Sequence, residues 1–335
     1  MSYPPYTITS RILKRVASIS ERLALLSAAD LSADKFSPQL RRENRIRTIH
    51  ASLAIENNTL SLEQVTDIID GKPVIGPSRD IQEVRGAVAA YEQLPAWSPY
   101  CLKDLLTAHG VLMHDLVDRP GALRTGSVGV FQGNRVVHMA PPAHLIHGHL
   151  EKLFQWLQKT DEHPLIAGCV VHYELEFIHP FDDGNGRMGR LWQTLVLSKW
   201  NPLFIYLPVE TVVRHRQKEY YAALGFADQQ GEASPFIDFM LAALQDSVEI
   251  LQSDQVSDQV SDQVRRLLVV LLQDDKSALE LMSSLSLRHA PTFRKNYLNP
   301  ALQNGLVERT LPDKPRSPTQ RYRLTAKGRL RIQKL

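Results

Sequence analysis

The segment His179-Pro-Phe-Asp-Asp-Gly-Asn-Gly-Arg-Met-Gly-Arg190 constrains this chain more than any other stretch. Helical patterns over Leu165–Phe177 and Gly186–Lys199 flank it, so it is a loop that feeds a helix start. Gly184 and Gly186 let backbone N–H groups converge on an anion with no Cβ in the way. The positive end of the following helix faces the same point. Arg187 and Arg190 stand three residues apart on that helix and share a face. Two guanidiniums beside an anion nest suit a polyphosphate. Asp183 can hold a divalent cation that bridges phosphate oxygens. His179 can take a proton from an attacking hydroxyl near neutral pH. Together these groups fit transfer of a phosphorus-bearing group. Gly184-x-Gly186-x-x-Gly189 also spells a dinucleotide fingerprint, but that fingerprint follows a strand, and here a helix precedes it.

Composition bounds the class. The 335 residues correspond to about two domains at roughly 150 residues each. Apolar residues make up 43% and charged residues 22%, enough for a core and unlike a disordered chain. Cys101 and Cys169 are the only cysteines, which excludes a disulfide framework and a zinc spacing. The N-terminus lacks the apolar core of a signal peptide, and no apolar run reaches about 18 residues. A cytoplasmic protein with no membrane contact is expected. His144, His147 and His149 read as polar helix residues rather than as a metal set. Arg265–Leu335 carries a balance of +10, against −7 for Met1–Val264. A basic C-terminal module can meet a polyanion such as DNA, or a protein.

Most of the first 250 residues read as helix. Helices are expected at Thr7–Ser27, Pro38–Glu56, Asp80–Leu94, Leu102–Val117, Leu145–Lys159, Val212–Leu224 and Pro235–Leu251, besides the two at the motif. Ser61 and Gln64 spell a capping box for a short helix ending at Asp70-Gly71. Arg124–Met139 breaks the pattern, with β-branched residues either side of Gln132-Gly133-Asn134, and reads as a β-hairpin. Ser-Asp-Gln-Val then repeats from Ser253, Ser257 and Ser261, marking a linker over 253–264 or a continued helix. In the tail, helices at Val264–Leu272, Ser277–Leu285 and Pro291–Gln303 precede strands at Leu306–Arg309 and Arg321–Leu324. That is the element order of a winged helix.

The long motif resembles the signature of the Fic family at every fixed position, and the likeness extends over roughly residues 40–250. The resemblance implies a mainly α fold: an N-terminal helical region (1–100), a Fic catalytic domain (101–252) with a β-hairpin flap, and a winged helix (265–335). It implies transfer of AMP from ATP to a Ser, Thr or Tyr hydroxyl of a target protein. His179 would be the general base and Asp183 the Mg²⁺ ligand. Gly184, Asn185, Gly186 and Arg187 would hold the phosphates, and Arg190 the terminal one. The hairpin residues Val136, Val137 and His138, with Tyr220, Tyr221 and Asp228, fall in the regions that surround the nucleotide in relatives. Ser52-Leu-Ala-Ile-Glu56-Asn57 resembles the family's inhibitory pattern, in which the glutamate pairs with the second arginine, here Arg190, and displaces the γ-phosphate.

Other chemistries on the same scaffold stay open. These are removal of AMP with Glu56 activating water, donation of another nucleotide or phosphate group, and a DNA-binding regulator whose Fic domain senses nucleotide. Homodimer formation is open as well.

Overall fold

Pro164–Ile178 is a helix buried on every side: each residue from Leu165 to Leu175 is buried. A helix apolar all round belongs inside a bundle. The next helix, Asn185–Trp200, is buried from Arg187 to Ser198. In this computed structural model these two form the centre of the first of two compact units, 1–252 and 253–335. The structure describes residues 4–28, 38–132, 135–314 and 317–333.

In chain order the first unit holds α1 (Ser10–Ala28), α2 (Pro38–Ile55), α3 (Leu62–Ile69), α4 (Ser78–Gln93) and α5 (Leu102–Leu112). The hairpin β1 (Gly129–Gln132) and β2 (Arg135–Met139) follows, then α6 (Ile146–Lys159), α7 (Pro164–Ile178) and α8 (Asn185–Trp200). After these come α9 (Val209–His215), α10 (Gln217–Gln230) and α11 (Ser234–Val270), of which the residues up to Gln252 belong to this unit. One apolar cluster joins α1, α7 and α9–α11; another joins α2–α6, α7 and α8. The helices α2–α4 of the expected N-terminal region share a core with α5–α8. The Ser-Asp-Gln-Val repeat is helical and lies within α11, so 253–264 is not an irregular linker.

Local chemistry explains most boundaries. The Ser61–Gln64 capping box forms, with both reciprocal bonds present. The helix expected to reach Val117 stops at Leu112, where Met113 N–H bonds back to His109 O and Asp115 turns left-handed at φ 61°. The helix expected over Val212–Leu224 is two helices that break at Arg216, whose N–H closes on both Val212 O and Val213 O. The hairpin strands are shorter than expected and begin at Gly129, and the register shifts between Val130 and Phe131. Of its expected turn, Gly133 and Asn134 lie outside the described residues.

The second unit has its own core of Leu267, Leu268, Leu281, Phe293, Tyr297, Leu298, Val307 and Tyr322. Its sheet runs β3-β5-β4, antiparallel throughout, with β3 (Lys276–Ser277), β4 (Val307–Arg309) and β5 (Arg321–Leu324). Its helices are α12 (Ala278–Ser284), α13 (Ala290–Phe293), α14 (Asn299–Gln303) and α15 (Ala326–Gln333). Ser277 and Glu280 form a second capping box at the start of α12.

Candidate active site

The site is the turn between α7 and α8. His179 ends α7 in the left-handed region, at φ 49°. A non-glycine residue there carries strain on the order of 1 kcal/mol that its surroundings must hold. Arg124 holds it. Its buried guanidinium donates to four carbonyl oxygens: His179 (2.7 Å), Gly126 (2.6 Å), Pro141 (2.6 Å) and Ile178 (3.3 Å). One side chain thus ties the base of the hairpin to the last carbonyls of α7. The sequence pattern placed Arg124 in a strand, and nothing in its spacing marked it as a clamp. His179 Nδ1 lies 3.4 Å from Glu176 O. With Nδ1–H donating, Nε2 is the basic nitrogen.

The loop from Pro180 to Gly184 is stitched from within. Asn185 Oδ1 accepts from Phe181 N–H (2.9 Å), and its Nδ2 donates to Phe181 O (2.8 Å). The Asn185 side chain is therefore committed to the loop, and only its backbone N–H can face an anion. The Phe181 ring stacks on His109, with centroids 3.7 Å apart and planes 4° off parallel. His109 Nδ1 accepts from Gly121 N–H (2.9 Å), so Nε2–H donates to Asp183 O (3.0 Å). Burial lowers its pKa and keeps the ring neutral. Gly184 caps α8 at φ 87° with Met113 packed where a Cβ would sit, a position that only glycine fills without strain. The N–H groups of the first turn of α8 have no partner inside the helix.

Around that helix start the charges are paired. Asp183 accepts from Gly184 N–H (2.6 Å), from Arg79 (2.8 Å) and from Arg187 (3.1 Å). Arg187 also donates to Glu83 (3.0 Å), a pair buried on both sides. Glu83 in turn accepts from Asn58 (2.9 Å). Arg79 and Glu83 lie on α4 and went unread in the sequence, because a lone charge pair four apart looks like any solvated helix face. Arg190 donates to Glu56 Oε1 (2.8 Å), Ser52 Oγ (3.1 Å) and Ser52 O (3.0 Å). Its Nη1 is buried with no hydrogen-bond partner among the described residues. Burial pulls the Arg190 pKa down, but Glu56, Tyr220 and Glu176 together more than offset it, and the pKa is raised.

A polar layer lies beneath. The Tyr220 hydroxyl sits between His172 Nε2 (3.1 Å) and Glu176 Oε1 (3.3 Å), and His172 Nδ1 meets Gln193 Oε1 (2.7 Å). Burial works against the Glu176 charge, yet His172, His179 and Arg190 hold its pKa below the ordinary value. Tyr220 is wholly buried, so it supports the site from below and offers no surface to a nucleotide. Tyr221 is exposed on α10, and Asp228 accepts from the Tyr173 hydroxyl at 2.9 Å. The backbone of β2 packs near α10; the side chains of Val136, Val137 and His138 lie outside the described part. His147 lies 3.5 Å from Glu151, and no group of three His, Cys, Asp or Glu among the described residues is arranged for a metal.

Two buried helices packed on each other and joined by a short turn, with a histidine at the turn, an open helix start and a carboxylate-paired arginine, define a helical class of protein that its relatives identify. Residues 99–197 match the Fic/DOC family, and residues 262–325 match the C-terminal domain of Filamentation induced by cAMP protein Fic-like. A crystal structure of a Fic family protein from Desulfovibrio desulfuricans G20 is 55% identical, covers 97% of this chain and 99% of its own, and has a TM-score of 0.74. The chain belongs to the Fic family. The protein adenylyltransferase fic-1 of Caenorhabditis elegans is 29% identical over 74% of this chain and 51% of its own length. The Aedes aegypti protein adenylyltransferase Fic is 31% identical over 62% of this chain and 42% of its own. The chain thus spans about half the length of the curated relatives it matches. No helix among the described residues is long and apolar enough to cross a membrane.

Proposed function

We propose that this protein transfers AMP from ATP to a hydroxyl of a target protein and that Glu56 restrains it. The observation that carries this is Arg190 in the first half of α8: Glu56 holds one face of its guanidinium, and its buried Nη1 has no hydrogen-bond partner among the described residues. An unpartnered, buried guanidinium nitrogen beside a helix start is a place for an anionic oxygen. Relatives named protein adenylyltransferase supply the nucleotide and the reaction class.

In this reading the N–H groups of Asn185, Gly186 and Arg187 cradle the phosphates. Arg190 holds the γ-phosphate once Glu56 withdraws. His179 Nε2 takes the proton of a Ser, Thr or Tyr hydroxyl as its oxygen attacks the α-phosphorus. The bond from that phosphorus to the bridging oxygen breaks, and pyrophosphate leaves. The flap hairpin aligns the target segment by strand pairing along its edge. The C-terminal unit is a winged helix.

Asp183 fits a Mg²⁺ site. Mg²⁺ commonly takes one or two carboxylates plus substrate phosphates, so a three-ligand protein cluster is not required. The Asp183 side chain is 42% exposed, and its partner Arg79 is a surface residue that can move aside. When bound, Mg²⁺ neutralises phosphate charge.

Incubating wild type and Glu56→Gly with a cell lysate and ATP labelled at the α-phosphorus tests this reading. Label on protein from the α-position supports it. Label from γ-labelled ATP alone, or from UTP or GTP alone, assigns another donor. No protein label from any donor would sink it.

A further inference from the structure

We infer that the C-terminal unit binds duplex DNA and reads base edges with the outer face of its helical stretch 290–303. That inference stands apart from the AMP-transfer reading. α13, a wide turn over Arg294–Leu298 and α14 form one uninterrupted helical path. Phe293, Tyr297, Leu298 and Ala301 bury its inner side in the unit's core. Thr292, Lys295, Asn299 and Gln303 are exposed on it, at steps of three, four and four residues. Such steps line one face of a helix. A lysine can bond guanine O6 and N7, and Asn or Gln can pair with adenine N6 and N7. The path is about 21 Å long at 1.5 Å per residue, and a helix enters a major groove about 12 Å wide.

The charges around this face are unevenly spent. Glu280 takes Arg321 (2.9 Å), Glu308 takes Arg323 (2.6 Å) and Asp262 takes Arg265 (2.7 Å). From Leu281 to Val307 the sequence has no acidic residue at all. Arg288, Arg294, Lys295, Arg309 and Lys314 are exposed and form no ion pair among the described residues. Arg288 precedes the stretch by two residues and Arg294 lies within it; both are exposed and available for phosphate contacts. A protein-binding face would be centred on aromatic or other large apolar side chains rather than lysine. The outward residues of 290–303 include none. Duplex RNA is excluded as the primary partner by its deep, narrow major groove, which side chains cannot read.

The test uses the full chain and fluorescein-labelled 20-base-pair duplexes of random sequence, with anisotropy as readout and rounds of selection for the tightest binders. About four phosphate contacts give a log–log salt slope of about −3.6, hence roughly a hundredfold weaker binding between 50 and 200 mM salt. Arg288→Ala with Arg294→Ala should weaken binding to every duplex and flatten the slope by about 2. Lys295→Ala, Asn299→Ala and Gln303→Ala should instead reduce preference for selected over random duplex by about 5- to 150-fold each. All five positions are exposed, Arg288 just ahead of the helical stretch and the other four on it, so they tolerate alanine, and circular dichroism confirms folding. No duplex binding at low salt overturns the inference. So does equal affinity for single-stranded DNA or RNA duplex of the same length, or binding indifferent to the five substitutions.

Discussion

The Glu56 carboxylate lies against Gly186: a Cβ at that glycine would run into Glu56 Oε1, the oxygen that stands 2.8 Å from Arg190. The space that the carboxylate fills is the space above the first turn of α8. An anion settling on those backbone N–H groups must displace it, both for room and for charge. In the proposed reading Gly186 is therefore a packing position for the restraint as well as part of the cradle.

Glu56→Gly should raise AMP incorporation by about tenfold or more, the effect of about 1.4 kcal/mol. Breaking a buried ion pair costs more than that, but Glu56 is 30% exposed, so part of the pair is already solvated. Adding Arg190→Ala should erase the gain, since the freed guanidinium is then missing. Incorporation of label is compared for wild type, the single and the double variant. A Glu56→Gly protein no more active than wild type on any substrate, itself included, would refute the restraint.

His179→Ala, made in the Glu56→Gly background, should lower transfer by about 10²–10⁴-fold, the usual loss with a general base. ATP binding should stay, because no phosphate-facing group is touched. Calorimetric titration with ATP and the transfer assay separate the two effects. Transfer at the parent rate would remove His179 from the mechanism.

Arg124→Ala should destabilise the fold by about 1–3 kcal/mol, because it takes the donor from the buried carbonyl of Ile178 and from three less buried ones. Arg124→Lys should recover part of this. One ammonium can meet some of the four oxygens but cannot span all of them as a planar guanidinium does. Urea unfolding gives both values. An alanine variant within about 0.5 kcal/mol of wild type would show that the clamp is idle.

The sequence revealed the motif because chemistry and spacing coincide there: the glycines, the arginine pair and the histidine are contiguous. The same holds for Ser52 and Glu56, one helical turn apart: Glu56 meets Arg190 as the resemblance implies, and Ser52 meets it too. The supports were hidden because they act across long separations. His109 reaches Asp183 O over 74 residues, Arg124 reaches His179 O over 55, and Glu83 reaches Arg187 over 104. Nothing local distinguishes such residues from their neighbours. Tyr220 and Tyr221 show the same limit: adjacent tyrosines on a helix point in different directions, and only packing decides which one is buried.

Glu210 carries the pH dependence that follows from the interior. It lies on α9, fully buried, and accepts from the Tyr91 hydroxyl at 2.9 Å. Burial pushes its pKa up to about 7 from an ordinary 4.5, against the pull of the Tyr91 hydrogen bond and of Arg190. A carboxyl raised on folding binds its proton more tightly in the native state than in the unfolded chain. Its contribution to stability is thus complete below about pH 4.5 and is lost as pH rises through about 7. The full swing is up to about 3 kcal/mol, from 1.36 kcal/mol per unit. Glu210→Gln keeps the shape and cannot ionise, so it should lack this slope. Urea unfolding of both proteins at about pH 5 and about pH 8 is the measurement. Wild type should lose more stability than the glutamine variant over that span. Parallel pH profiles would mean that Glu210 is ionised in the folded protein at both ends, and that Tyr91 and Arg190 outweigh its burial.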